Sequence, residues 1–200
     1  MQWLTLPEPR SDVKPAFHDL PAAKAWLATQ PQTQPLHMLQ AIGGQIEAIE
    51  GAMLPPGLTL ELLNLLRSAA LPGQIAIESR YVRKPLPMPS EDERAFELAQ
   101  KLWRRLGIAY LRLAPHFPPA GKCLPLHRAA TAFRMAQYCH FLAARDCPAA
   151  LDRLLFAVLA QAESSAVLSQ PVGDADFRHF GDSHIGGHLA WAFLLRLADP

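Results

Sequence analysis

The chain has 200 residues, half of them apolar and 18% charged, with a formal net charge of +1. That length fits one domain or at most two small ones and buries about 70% of the unfolded chain's surface, so no staple is required. Near-neutral charge argues against a protein held on nucleic acid by bulk electrostatics, which needs a basic excess on one face. Three cysteines, Cys123, Cys139 and Cys147, never form a CxxC pair. Neither a disulfide framework nor a zinc site is expected, and a reducing cytoplasm is the simpler setting. Met1 to Pro9 lacks a basic start followed by an apolar core, and no run of about 18 apolar residues occurs, so neither a signal peptide nor a membrane span is expected.

In chain order, Gln2 to Leu6 alternates apolar and polar residues before Pro7 and Pro9 and reads as an extended arm. Residues 7 to 20, rich in proline and charge, read as a tether over the helices rather than part of their core. Domain bounds follow: an arm over 1–20 and a helical domain over 21–200. A short helix is predicted over Pro21 to Thr29, with Asp19 as N-cap and Trp26 as its anchor. Leu36, Leu39, Ile42, Ile46, Ile49 and Met53 recur at helical spacing and define a second helix. Gly43 and Gly44 sit at its centre, and the expected reason is close approach of a neighbouring helix, preferred over a phosphate-binding loop because no strand precedes them and no GxGxxG follows. Pro55-Pro56-Gly57 makes a turn, and Thr59 is expected to cap a third helix carrying Leu60, Leu63, Leu66 and Ala70. Leu71-Pro72-Gly73 should interrupt it. Ile75, Ile77, Ser79 and Tyr81 alternate like a strand, but with no partner strand nearby a separate helix from about Gln74 to Arg83 is preferred.

The stretch Ser90 to Leu113 organises the chain. Ser90 and Glu93 form a capping box, and Phe96, Ala99, Leu102, Trp103, Leu106, Tyr110 and Leu113 lie on one face, opposite Arg94, Lys101, Arg104, Arg105 and Arg112. A proline-rich connection, Pro115 to Pro125, leads to Leu126–Ala144, apolar on nearly all sides and therefore central. Asp146 and Pro148 open a further helix with Leu151, Leu154, Leu155 and Val158, which the short link pairs with its predecessor as an antiparallel hairpin. After a polar stretch, a last helix runs from about His188. The chain stops at Pro200 directly after an apolar run, which reads as the N-terminal part of a longer polypeptide. The expected fold is all-α: an irregular multi-helix bundle of antiparallel hairpins with an extended N-terminal arm.

Several groupings bear on chemistry. Trp103-x-x-Leu106-Gly107-x-x-Tyr110 matches the first-helix pattern of a tetratricopeptide repeat, in which the small glycine admits a partner helix, but the second half fails and no copy recurs about 34 residues away. His179, His184 and His188 are the metal alternative, weakened by Gly186 and Gly187 between the last two and by the lack of an HExxH arrangement. No serine sits in a nucleophile elbow. The strongest candidate surface is basic: Arg80, Tyr81, Arg83 and Lys84, joined by Arg104 and Arg105, with guanidinium forks and an aromatic face suited to a phosphate or a nucleobase.

Arg80-Tyr81-Val82-Arg83-Lys84-Pro85-Leu86-Pro87, Leu102-Trp103 through Ala109-Tyr110-Leu111, and Ala190-Trp191-Ala192-Phe193 through Asp199-Pro200 resemble the helical N-terminal region of bacterial proteins that carry a PilZ domain toward their C-terminus. The likeness runs from about residue 36 to the end. PilZ domains bind cyclic di-GMP through RxxxR and [D/N]xSxxG on a β-barrel. Here Gly181-Asp182-Ser183-His184-Ile185-Gly186 has glycine at the first motif position, and RxxxR is absent. The resemblance implies a non-enzymatic, cytoplasmic, helical interaction module of cyclic-di-GMP signalling. It implies no cofactor, a protein partner and a PilZ domain beyond Pro200. The alternatives are a phosphate or nucleotide site at Arg80, Arg83 and Lys84, and a metal-dependent enzyme on the three histidines.

Overall fold

The computed structural model describes residue 6 and residues 8–9, 12–31, 33–81, 90–118, 121, 123–142, 150–151, 153–154 and 158, with backbone alone at 78–81, 90–92, 123 and 140–142. It is all-α: α1 (Leu20–Thr29), α2 (Pro35–Gly51), α3 (Pro56–Tyr81), α4 (Ser90–Leu113), a 3-10 turn (Ala114–His116) and α5 (Cys123–Leu142).

Asp19 starts α1 as its sequence requires. Its backbone is extended, and its carboxylate accepts from the Ala22 amide at 2.7 Å, satisfying a donor that the helix start leaves open. Trp26 is half-buried, and its ring meets Phe17 at a centroid distance of 5.5 Å. Phe17 itself is only 2% exposed, and the Ala16 amide donates to Gln45 Oε1 on α2 at 2.8 Å. The segment before α1 therefore places an aromatic side chain in the core, a correction to the reading of residues 7–20 as a covering tether.

Helix α2 stops at Gly51, and Ala52 turns to extended backbone while its amide still bonds the Ala48 carbonyl. Met53 thereby leaves the helical period and is fully exposed instead of joining the stripe. Pro56 opens α3, since a proline in the first turn forfeits no helical hydrogen bond. Thr59 lies inside the helix and donates its hydroxyl to the Pro55 carbonyl at 3.1 Å, so it is not the cap expected.

The expected break at Leu71-Pro72-Gly73 does not occur, and α3 runs through Pro72 for 26 residues. An interior proline removes one backbone bond and costs about 3 kcal/mol. Burial on both sides of it outweighs that loss: Leu62, Leu63, Leu66 and Ala70 before, Gln74 and Ile77 after. Gly73 is also where α3 comes close to α2, since a Cβ there would lie 3.4 Å from the Leu39 side chain. Contact of residue 73 with residues 35 and 39, across a link that joins residues 51 and 56, makes α2 and α3 antiparallel.

Helix α4 is the centre, packed on α5 most extensively and also on α2 and α3. All seven residues assigned to its apolar face are buried, with Trp103 and Tyr110 fully enclosed. Their polar ends are answered from α3. Trp103 Nε1 donates to Gln74 Oε1 at 3.1 Å, and Tyr110 donates to Asn64 Oδ1 at 2.9 Å. Gln74 in turn donates to the Cys139 sulfur on α5 at 3.6 Å, so one buried amide joins three helices. Pairing of 74 with 103 and 64 with 110 sets α3 and α4 antiparallel.

Gly107 admits α5 closely: a Cβ built on it would fall 2.4 Å from the Phe133 ring. The glycine thus does on this hairpin what its sequence pattern predicts, with no repeat array around it. Helix α5 begins at Cys123, three residues ahead of expectation, and buries Leu126, Ala129, Ala132, Phe133, Met135, Ala136 and Cys139. Beyond it, residues 150, 151, 153, 154 and 158 are helical, with Leu151, Leu154 and Val158 buried. The link over 143–149, and with it the predicted hairpin, lies outside the described residues, as does the predicted helix from His188.

Candidate functional site

Helices α2 and α4 do not close on each other along their whole length. Gly43 and Gly44 occupy the middle of α2, and a Cβ on either would meet none of the described residues within 4 Å. Close approach of a neighbouring helix is therefore not their reason, contrary to the sequence reading; Gly73 and Gly107 are the positions that serve that purpose. In place of a packed crossing there is a groove of about 490 Å³. Its apolar wall is Leu39, Leu98, Leu102 and Ile108, and Glu8 and Pro9 stand at its edge. That volume falls within the range of about 300–1,000 Å³ typical of ligand clefts.

Four cations and three carboxylates line it: Lys101, Arg104, Arg105 and Arg112 against Glu8, Glu47 and Glu50. Spacings of four and seven residues put Lys101, Arg105 and Arg112 on the α4 face toward α2. Arg105 reaches down to the floor, with Nη1 at 3.0 Å from Glu47 Oε2 and donating to the Gly43 carbonyl at 3.3 Å. Arg112 Nη1 lies 2.6 Å from Glu50 Oε1. Pairing of 47 with 105 and 50 with 112 means that α2 and α4 run parallel here. Burial pushes the Glu50 carboxyl above its ordinary value, and the attraction of Arg112 only partly offsets it. Lys101 and Arg104 are exposed and make no ion pair among the described residues.

Of the basic candidates from the sequence, Arg104 and Arg105 stand together on this groove. Arg104 is the more available, since Arg105 is tied to Glu47 and Gly43. Arg80 and Tyr81 are the last residues named in α3, but their side chains, and Arg83 and Lys84 altogether, lie outside the described residues. His179, His184 and His188 do too. Among the described residues no group of three or more His, Cys, Asp or Glu side chains is placed to hold a metal ion, and no helix is long and apolar enough to cross a membrane. The groove was the feature sequence reasoning missed. Its signal was present in the paired glycines, followed by Glu47 and Glu50 on α2 and matched by Arg105 and Arg112 on α4.

A family model described as the N-terminal domain of the cyclic-di-GMP receptor FimW matches residues 21–200. The chain belongs to this family. Both walls of the groove, α2 and α4, fall within the FimW N-terminal domain match, whereas Glu8 and Pro9 precede it. Membership agrees with the expectation of a helical N-terminal region from cyclic-di-GMP signalling. No curated protein and no solved structure matches the chain.

Proposed function

We propose that this chain is the non-enzymatic helical module of a cyclic-di-GMP receptor, working in the cytoplasm and passing on the receptor's state through protein contacts. The observation that carries the reading is the family match over residues 21–200. In this reading the dinucleotide is held by a PilZ domain beyond Pro200. The chain itself has no RxxxR and no complete [D/N]xSxxG, so it lacks the arginine forks and the tight turn those motifs supply for phosphates and guanines. The partner surface is the basic patch of Arg80, Tyr81, Arg83, Lys84, Arg104 and Arg105. Exposed Arg104 supports this, because an unpaired guanidinium loses little on meeting an acidic partner. Association through such charges weakens with salt.

Calorimetry of residues 1–200 with cyclic di-GMP tests the division of labour, and no binding is expected. Reversal of Arg83 and Arg104 to Glu should remove the cellular partner from co-purification, and reversal of exposed Arg104 alone should leave the melting temperature unchanged, since exposed charges alter stability by less than about 0.5 kcal/mol. Micromolar cyclic di-GMP binding that disappears on substitution of Arg80 or Arg83 would overturn the reading and make the chain a nucleotide site in its own right.

A further inference from the structure

Each glycine in a helix interior costs about 1 kcal/mol relative to alanine. At Gly43 and Gly44 that cost is not offset by helix packing, because no described residue lies within 4 Å of the point a Cβ would occupy. Alanine, or any larger residue, would begin to fill the groove whose floor they form. The pair therefore keeps room for something that is not α4.

What stands at the edge of that room is the chain's own N-terminal segment. Glu8 and Pro9 line the groove. Seven residues further on, the Ala16 amide is bonded to Gln45 on α2, the residue next to Gly44, and Phe17 is buried against Trp26. The arm is thus tethered beside the groove at its downstream end and reaches it at Glu8. Its length also fits. From Leu39 to Glu50 the α2 wall covers about 16 Å at about 1.5 Å per helical residue, and Met1 to Leu6 in extended form covers about 16 Å at about 3.3 Å per residue.

Its chemistry matches the lining. Trp3, Leu4 and Leu6 offer apolar surface to Leu39, Leu98, Leu102 and Ile108, and Glu8 is the single carboxylate of the first nine residues. Lys101 and Arg104 provide the complementary charge, while Glu47 and Glu50 are already held by Arg105 and Arg112. Pro7 and Pro9 favour an extended backbone and bring no amide to satisfy, which suits a segment laid between two helices whose own backbone groups are paired.

We propose that the groove between α2 and α4 is the docking site of the chain's own N-terminal arm, residues 1–9, with Trp3 seated over Gly43 and Gly44 and Glu8 drawn by Lys101 and Arg104. The contact is intramolecular and does not depend on the proposed role in nucleotide signalling.

The test uses the full chain with the photoreactive analogue benzoylphenylalanine in place of Trp3, irradiated at low protein concentration and mapped by mass spectrometry. Cross-links are expected within residues 39–50 and 98–108. Gly44→Leu, which fills the floor, should cut their yield about tenfold, the scale set by losing an aromatic anchor's burial. Its melting temperature should not fall. The double reversal Lys101→Glu with Arg104→Glu leaves the floor intact and should also lower the yield, which keeps the test valid if the leucine variant misfolds. Cross-links confined to other helices, none at all, adducts between two chains, or a yield unaffected by both variants would overturn the proposal.

Discussion

The two sides of α4 show opposite uses of glycine. Toward α5, Gly107 lies under the Phe133 ring so closely that a single methyl group would collide with it. Toward α2, a Cβ on Gly43 or Gly44 would meet none of the described residues within 4 Å. The first arrangement turns a small residue into buried contact, and the second accepts the helical cost of two small residues and leaves a groove. The same residue type thus marks a close crossing, α4 on α5, and an open one, α2 on α4. Only the neighbours distinguish them, so a sequence that contains both gives no local clue to which is which.

Substitutions that break the packed side should have the larger effects. Trp103→Ala empties a fully enclosed site on the central helix and leaves the buried Gln74 amide without its indole donor. The expected loss is about 3–5 kcal/mol in urea unfolding. A loss below about 1 kcal/mol would mean that α4 is not the centre. Gly107→Ala comes next: overpacking costs about 1–3 kcal/mol, helix propensity returns about 1, and the net loss is up to about 2 kcal/mol. Its partner Phe133→Leu should relieve part of that loss, and an additive double mutant would show that the two side chains do not meet.

A smaller, pH-dependent effect is expected on the groove side. Glu50 has its folded-state pKa raised above the ordinary 4.5 by burial. Its contribution to stability is therefore fully present below that unfolded value and is lost as pH rises through the higher folded value. Glu50→Gln cannot lose it, and its uncharged amide can still accept from Arg112. The variant's stability relative to the parent should rise from pH 4 toward pH 7. Parallel stability curves across that range would place Glu50 in water and remove the burial argument.

The apolar periodicities were legible wherever one side of a helix faces the core. Asp19 with Pro21 located the start of α1, and the stripe from Phe96 to Leu113 located α4 and its buried face. Errors fell where tertiary contact overrode a local signal. Pro72 reads as a stop but is carried through by burial of Leu66, Ala70, Gln74 and Ile77 around it. Phe17, isolated among prolines and charges, has no periodic neighbours to announce that it is buried. For the site, Arg104 and Arg105, which line the groove, were singled out as candidates from charge alone. Their partners on α2 were not, because the pairing of Glu47 with Arg105 and Glu50 with Arg112 depends on two helices about 60 residues apart in sequence running parallel.

The most direct test of the contrast between the two sides of α4 is one denaturation series comparing Gly43→Ala, Gly44→Ala and Gly107→Ala with the parent chain. An open groove predicts opposite signs. The two α2 variants should gain up to about 1 kcal/mol each from helix propensity, while Gly107→Ala loses stability. Destabilisation by all three would contradict the account, since it would mean that α4 packs directly on Gly43 and Gly44 and leaves no groove between the two helices.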